Sequence, residues 1–191
     1  MATQYYFLIS SLPLLRFGAV PFLSSSRFLE LVAEQEGERL AASLSEVSLL
    51  PGDSPRFSAE SFWYAVETYI RNYLLRARCS KPAQIDAWKR EERDVFSGVD
   101  HQLHKALGAA NPLERERMID QLRWDILDEA LLGQTLLGET FSANALVVYR
   151  IRLLLAEKWQ GHSLEKGRQI VADLVEKAQE EARQTRLRVS S

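Results

Sequence analysis

Ser142 to Gln160 (SANALVVYRIRLLLAEKWQ) constrains this chain more than any other stretch. It opens on a helix-capping serine, is apolar on almost every face, and carries four charges: Arg150, Arg152, Glu157 and Lys158. A helix apolar nearly all round has to be enclosed by its own domain or by a partner. Phe141 before the cap and Leu146 after it have hydrophobic-staple spacing, which fixes the entry of this helix.

Other amphipathic stretches surround it. The helix from Arg27 to about Glu36 brings Phe28, Leu31 and Val32 together, and Gly37 supplies a stop. Ser43 and Glu46 have capping-box spacing, which predicts a short helical turn before the Pro51-Gly52-Asp53-Ser54-Pro55 turn. From Ser58, residues Phe62, Trp63, Val66, Tyr69, Ile70, Tyr73, Leu74 and Ala77 recur at three- and four-residue steps. Glu67, Arg71, Arg76 and Arg78 fall off that seam, so they read as the wet face of a five-turn helix.

Ser80-Lys81-Pro82 ends that helix and starts another. Its seam of Ile85, Trp88, Val95 or Phe96, Val99, Leu103 and Leu107 runs to about Leu107, with a kink near Glu91-Glu92 and Gly98. Asn111-Pro112 is a cap followed by proline at the first helical position. The helix behind it carries Ile119, Leu122, Ile126, Leu127 and Leu131 and ends near Gly133. A last helix starts at His162-Ser163 with Leu164, Gly167, Val171, Leu174 and Ala178. Tyr5 to Ile9 (YYFLI) fits a short strand or the first turns of a helix equally well, because periodicity does not separate them at this length. The expected architecture is all-α: a single helical domain over 1–191 of about six helices, with 184–191 a frayed tail.

Composition narrows the function classes. The 24 basic and 26 acidic residues leave a net charge of −2, so no global field draws in nucleic acid or anionic lipid. The single cysteine, Cys79, precludes an intrachain disulfide and points to a reducing, cytoplasmic compartment. Met1 to Leu15 holds no charged side chain. Without a positive n-region, and with Pro13 interrupting it, this stretch reads against an export signal and against direct membrane insertion.

The catalytic signals are thin. Asp100, His101 and His104 cluster at helical spacing and are the best candidates for a metal-dependent enzyme, but nothing completes the ligand set, and a solvated helix face accounts for them. Cys79 lies between Arg78 and Lys81 without a histidine base. No Gly-x-Ser-x-Gly elbow or phosphate loop occurs. The sequence therefore predicts no enzyme, no cofactor and no metal. Of the four tryptophans, Trp63 and Trp124 have core spacing. Trp88 and Trp159 sit beside charges near helix ends, as partner-facing anchors do.

Two patches carry a resemblance: YYFLISSLPLL (Tyr5 to Leu15) and FSANALVVYRIRLLLAEKWQGHSLEKG (Phe141 to Gly167). The aromatic start, Ser-Leu-Pro, the Tyr-x-x-x-Leu helix ending in Glu-x-Trp and the Leu-Glu-Lys-Gly step resemble a family encoded beside the subunits of bacterial V/A-type ATPases. The resemblance implies a non-catalytic peripheral subunit or assembly factor coupling the rotor axle to the membrane ring, in the place of the C-type (d-type) subunit. Its partners would be the rotor stalk or the membrane ring, with membrane association only through the complex. Trp159, Leu164, Val171 and Leu174 are the expected partner-facing strip, with ordinary core as the competing reading. A generic helical adaptor or regulatory module is the alternative of a different class.

Overall fold

The computed structural model describes residues 5–52, 54–92, 99–132 and 141–160. The ambiguous YYFLI run is helical, forming α1 (Tyr6–Ser11). The Tyr5 amide donates to the Phe141 carbonyl at 2.7 Å. Ser11 Oγ donates to the Leu8 carbonyl at 2.7 Å. Leu12 is then extended (ψ 135°), as a residue before proline must be.

Helix α2 (Ser25–Glu36) starts where Ser24 Oγ accepts the Arg27 amide at 3.2 Å, and it buries Phe28 and Val32. Gly37, at φ +97°, ends it and immediately begins α3 (Glu38–Ser45). A Cβ at Gly37 would meet nothing within 4 Å, so backbone conformation rather than space demands glycine here. The capping box expected at Ser43 and Glu46 is not formed. Because α3 restarts directly after Gly37, Ser43 lies inside the helix and its Oγ donates to the Arg39 carbonyl at 3.1 Å. Glu46 instead pairs with Arg56 at 2.7 Å.

Helix α4 (Ser58–Arg78) is anchored by the Glu60 carboxylate, which accepts the backbone amides of Arg56 (2.7 Å) and Phe57 (3.0 Å). The kinked helix expected from Pro82 to Leu107 is two separate helices, α5 (Pro82–Trp88) and α6 (Val99–Leu107). The break comes at Lys89, which is extended (ψ 131°). Its cause lies on α4, where the buried Asn72 amide accepts the Arg90 N–H at 3.0 Å and donates to the Arg90 carbonyl at 2.8 Å. A side-chain amide that offers the backbone both a donor and an acceptor competes with helix continuation.

Next come α7 (Pro112–Leu132), with Asn111 Oδ1 accepting the Leu113 amide at 2.9 Å, and α8 (Ala143–Gln160). The fold is all-α, with eight helices and no strand among the described residues. Five of the six expected helices fall on described residues, and the three more seen there come from α1, from α3 and from the break at Lys89. The helix expected after His162 lies outside the described residues.

The chain groups into two compact units, Met1–Ala156 and Glu157–Ser191. Within the first, α2 packs on α3, α6 on α7, α1 on α2, and α4 on both α5 and α6. Enclosure of α8 is observed: Leu146, Val147, Val148, Ile151, Leu153 and Leu155 are all buried. Around it, the Phe28 ring of α2 stands 5.3 Å from that of Tyr149. Asn144 Oδ1 accepts the Ala59 amide of α4 at 3.1 Å, and the Tyr149 hydroxyl donates to the Pro13 carbonyl at 3.0 Å. The Ser142 hydroxyl is buried and finds no hydrogen-bond partner among the described residues, so it does not cap α8. Of the second unit, 157–160 are described, where the Lys158 ammonium stands 5.9 Å from the Trp159 ring centroid.

Candidate functional site

Charge inside the first unit is concentrated in a buried joint between α4 and α7. The guanidinium of Arg123 grips Glu67 with two bonds, Nε to Oε1 at 2.6 Å and Nη2 to Oε2 at 3.2 Å. Its Nη1 reaches Asp120 Oδ1 at 2.6 Å. Arg71 Nε stands 3.6 Å from the same Glu67. Glu67 therefore belongs to the interior and not to the wet face where the sequence placed it. Helical spacing along α4 cannot reveal a neutralising arginine 56 residues further on.

Burial pushes the Arg123 guanidinium down, but Glu67 and then Asp120 outweigh it and hold its pKa above the ordinary arginine value. Arginine does not release its proton in proteins, so the cluster is a fixed cross-brace and not an acid–base pair. A second brace joins α7 to α8. Arg152 Nη1 meets Asp128 at 2.7 Å, and its guanidinium lies 4.2 Å from the Trp124 ring centroid. Trp124 in turn meets Phe17 edge-on at 5.7 Å. Trp63 and Trp124 are core residues.

Asp100, His101 and His104 are not assembled into a ligand set. Asp100 Oδ1 accepts the Tyr69 hydroxyl at 2.5 Å, its carbonyl accepts the Tyr73 hydroxyl at 3.3 Å, and both histidines are exposed. Among the described residues, no group of three or more His, Cys, Asp or Glu could hold a metal ion.

The hydrogen bond to Asp100, with burial, raises the Tyr69 phenol to about 12, and burial raises Tyr149 to about 12. Both folded values lie above the unfolded value of about 10. Stability from these phenols is therefore present below pH ~10 and is lost as pH rises from there toward 12. In a tyrosinate absorbance titration of the folded chain, Tyr69 and Tyr149 are expected to ionise only as pH approaches 12. Tyr69→Phe should remove amplitude from that late part of the curve, and an unchanged late part would contradict the assignment.

The Asn72 clamp extends past Arg90. Its amide also donates to Glu92 at 2.9 Å, and Arg76 reaches the same carboxylate at 3.2 Å. The bond from Asn72, with support from Arg76 and Lys89, outweighs burial and keeps the Glu92 carboxyl below its usual range. Asn72→Ala removes both partners of the Arg90 backbone and is expected to lower stability by about 1–3 kcal/mol. Urea unfolding checks this, and a change under about 0.5 kcal/mol, the range of ordinary surface substitutions, would count against the clamp.

The outer surface carries the other signal. Tyr6, Phe7, Leu14, Val20 and Phe22 are all exposed within 17 residues, Phe7 by 84% and Phe22 by 94%. Trp88 is 76% exposed on α5, which has no buried residue. Trp159 is partly exposed on the last turn of α8, while Leu164, Val171 and Leu174 lie outside the described residues. The N-terminal strip was absent from the sequence-based candidates. Its one sequence signal is the lack of charge from Met1 to Leu15, which fits a buried segment as well as an exposed one. No described helix is long and apolar enough to cross a membrane.

A family model described as "protein of unknown function (DUF2764)" matches residues 95–182. The matched stretch takes in α6, α7 and α8, with Asp120, Arg123, Trp124 and Arg152 of the two braces, and leaves the exposed N-terminal strip outside it. No curated protein and no solved structure matches the chain.

Proposed function

We propose that this chain is a non-catalytic, peripheral subunit or assembly factor of a V/A-type rotary ATPase, working by docking between the rotor axle and the membrane ring. One observation carries the reading: of the two stretches behind the resemblance, the second is enclosed through α8, whereas the first gives Leu8 and Leu15 to the core and keeps an exposed apolar face. Within Phe141 to Gly167, α8 is enclosed and braced through Arg152. Within Tyr5 to Leu15, the side chains of Tyr6, Phe7 and Leu14 face outward.

Enclosed aliphatic packing gives a connector its stiffness, and exposed apolar side chains at Tyr6, Phe7, Leu14, Val20 and Phe22 give it adhesion. Covering one phenylalanine contributes about 1.5–3 kcal/mol, so Phe7 and Phe22 together can decide whether a complex holds. The partners are the rotor stalk or membrane-ring subunits, and the chain reaches the membrane only through them.

Affinity purification of the tagged chain from cells that express the ATPase tests this. ATPase subunits are expected to co-elute in stoichiometric amount. Recovery of an intact, fully coupled ATPase without this polypeptide would overturn the proposal. A stoichiometric partner unrelated to ion transport would identify a generic helical adaptor instead.

A further inference from the structure

The corner formed by the end of α4, α5 and the extended segment 89–92 has no part in the core, yet it is tied down by hydrogen bonds. From Arg76 to Glu91, all but Cys79 and Ile85 are exposed. Helix α5 buries none of its seven residues, and Trp88 projects from its last position with 76% of its surface open. The corner is not slack, because Asn72 fastens the backbone of Arg90 through both its N–H and its carbonyl. Glu92 is drawn back onto Asn72 and Arg76.

Charge is segregated here. Of the chain's 24 basic and 26 acidic side chains, Arg78, Lys81, Lys89 and Arg90 fall in 78–91 against Asp86 and Glu91, which leaves 20 basic against 24 acidic elsewhere. Lys81 and Lys89 bracket α5 at its two ends, and seven residues at 1.5 Å each make a helix of about 10 Å. Lys89 and Arg90 follow Trp88 directly in the chain, and Lys81 and Arg78 precede the other end of α5.

We propose that the α4–α5 corner is a docking site for an acidic protein segment that offers Trp88 an apolar notch and faces Arg78, Lys81, Lys89 and Arg90 with carboxylates. An exposed tryptophan on a short helix with basic residues at both ends has the makings of an interface hot spot, where one aromatic anchor supplies affinity and the charged rim supplies orientation and on-rate. The Asn72 clamp lowers the ordering cost of binding, since the loop is already fixed. A bilayer surface fits less well. An interfacial helix needs a broad apolar face, and the only large apolar side chains of α5 are Trp88 and the part-covered Ile85, with Asp86 between them. Four cations with one aromatic are also sparse for a nucleic-acid strand, which is gripped by a basic groove and several stacking rings. This inference does not depend on which complex the chain joins.

The test uses the full-length chain and a phage-displayed library of random 12-residue peptides. Selected peptides are expected to be rich in Asp and Glu. They should bind Trp88→Ala and the double variant Arg78→Glu/Lys81→Glu at least tenfold more weakly, and should weaken at high salt. All these positions are exposed, so unchanged thermal unfolding of each variant shows that binding, not folding, was altered. Trp88→Phe should recover part of the affinity. Neutral or basic winners, equal binding to Trp88→Ala, or the absence of any selected peptide would overturn the proposal. So would Trp88-dependent binding to phosphatidylserine vesicles without peptide binding.

Discussion

Replacing Arg123 with methionine is expected to lower the unfolding free energy by about 3–5 kcal/mol, the cost of leaving a buried charge without its partner. The magnitude follows from what remains behind. Glu67 and Asp120 have side chains only 2% and 0% exposed, and Arg123 meets one oxygen of each at 2.6 Å. Arg71, at 3.6 Å from Glu67 and one-third exposed, cannot replace a bidentate guanidinium. The favourable comparison is a triple variant, Arg123→Met with Glu67→Gln and Asp120→Asn, which also removes the two buried carboxylate charges and should recover a large part of the loss. Guanidinium denaturation midpoints of wild type, single and triple variants measure both effects. A loss below about 1 kcal/mol for Arg123→Met, the range of exposed ion pairs, would show that the cluster is more solvated than the geometry implies.

Leu153→Ala is expected to cost about 2–5 kcal/mol, the range for emptying a buried leucine site. Leu153 is completely buried on a helix approached by α2, α4 and α7. Enclosure from several sides limits relaxation into the space left behind, which favours the upper half of that range. Leu14→Ala is the control. Leu14 is 75% exposed, so its loss should change stability by less than about 0.5 kcal/mol. Thermal or denaturant unfolding compares the two, and similar losses at both positions would contradict an enclosed α8.

Much of the helical framework was legible because its signals are local. Ser24 before α2, Gly37 after it, Asn111-Pro112 at α7 and the apolar density of α8 each act within a turn of the helix they set. Features created by distant partners were not legible. Glu67 reads as solvated until Arg123 is brought against it, and the break at Lys89 depends on Asn72, 18 residues earlier. Asp100 lies near His101 and His104 in sequence, but the tyrosine that occupies its carboxylate comes from α4. The N-terminal strip failed for another reason: a stretch without charge states what it avoids, not whether it is covered.

The double variant Phe7→Ser/Phe22→Ser tests the central claim most directly, because it separates a braced interior from an adhesive exterior. Both rings are exposed, so the thermal unfolding midpoint should match wild type while retention of the tagged chain on purified V/A-type ATPase, read on native gels, falls at least tenfold. Undiminished retention, or a loss of fold that accompanies the loss of binding, would contradict it.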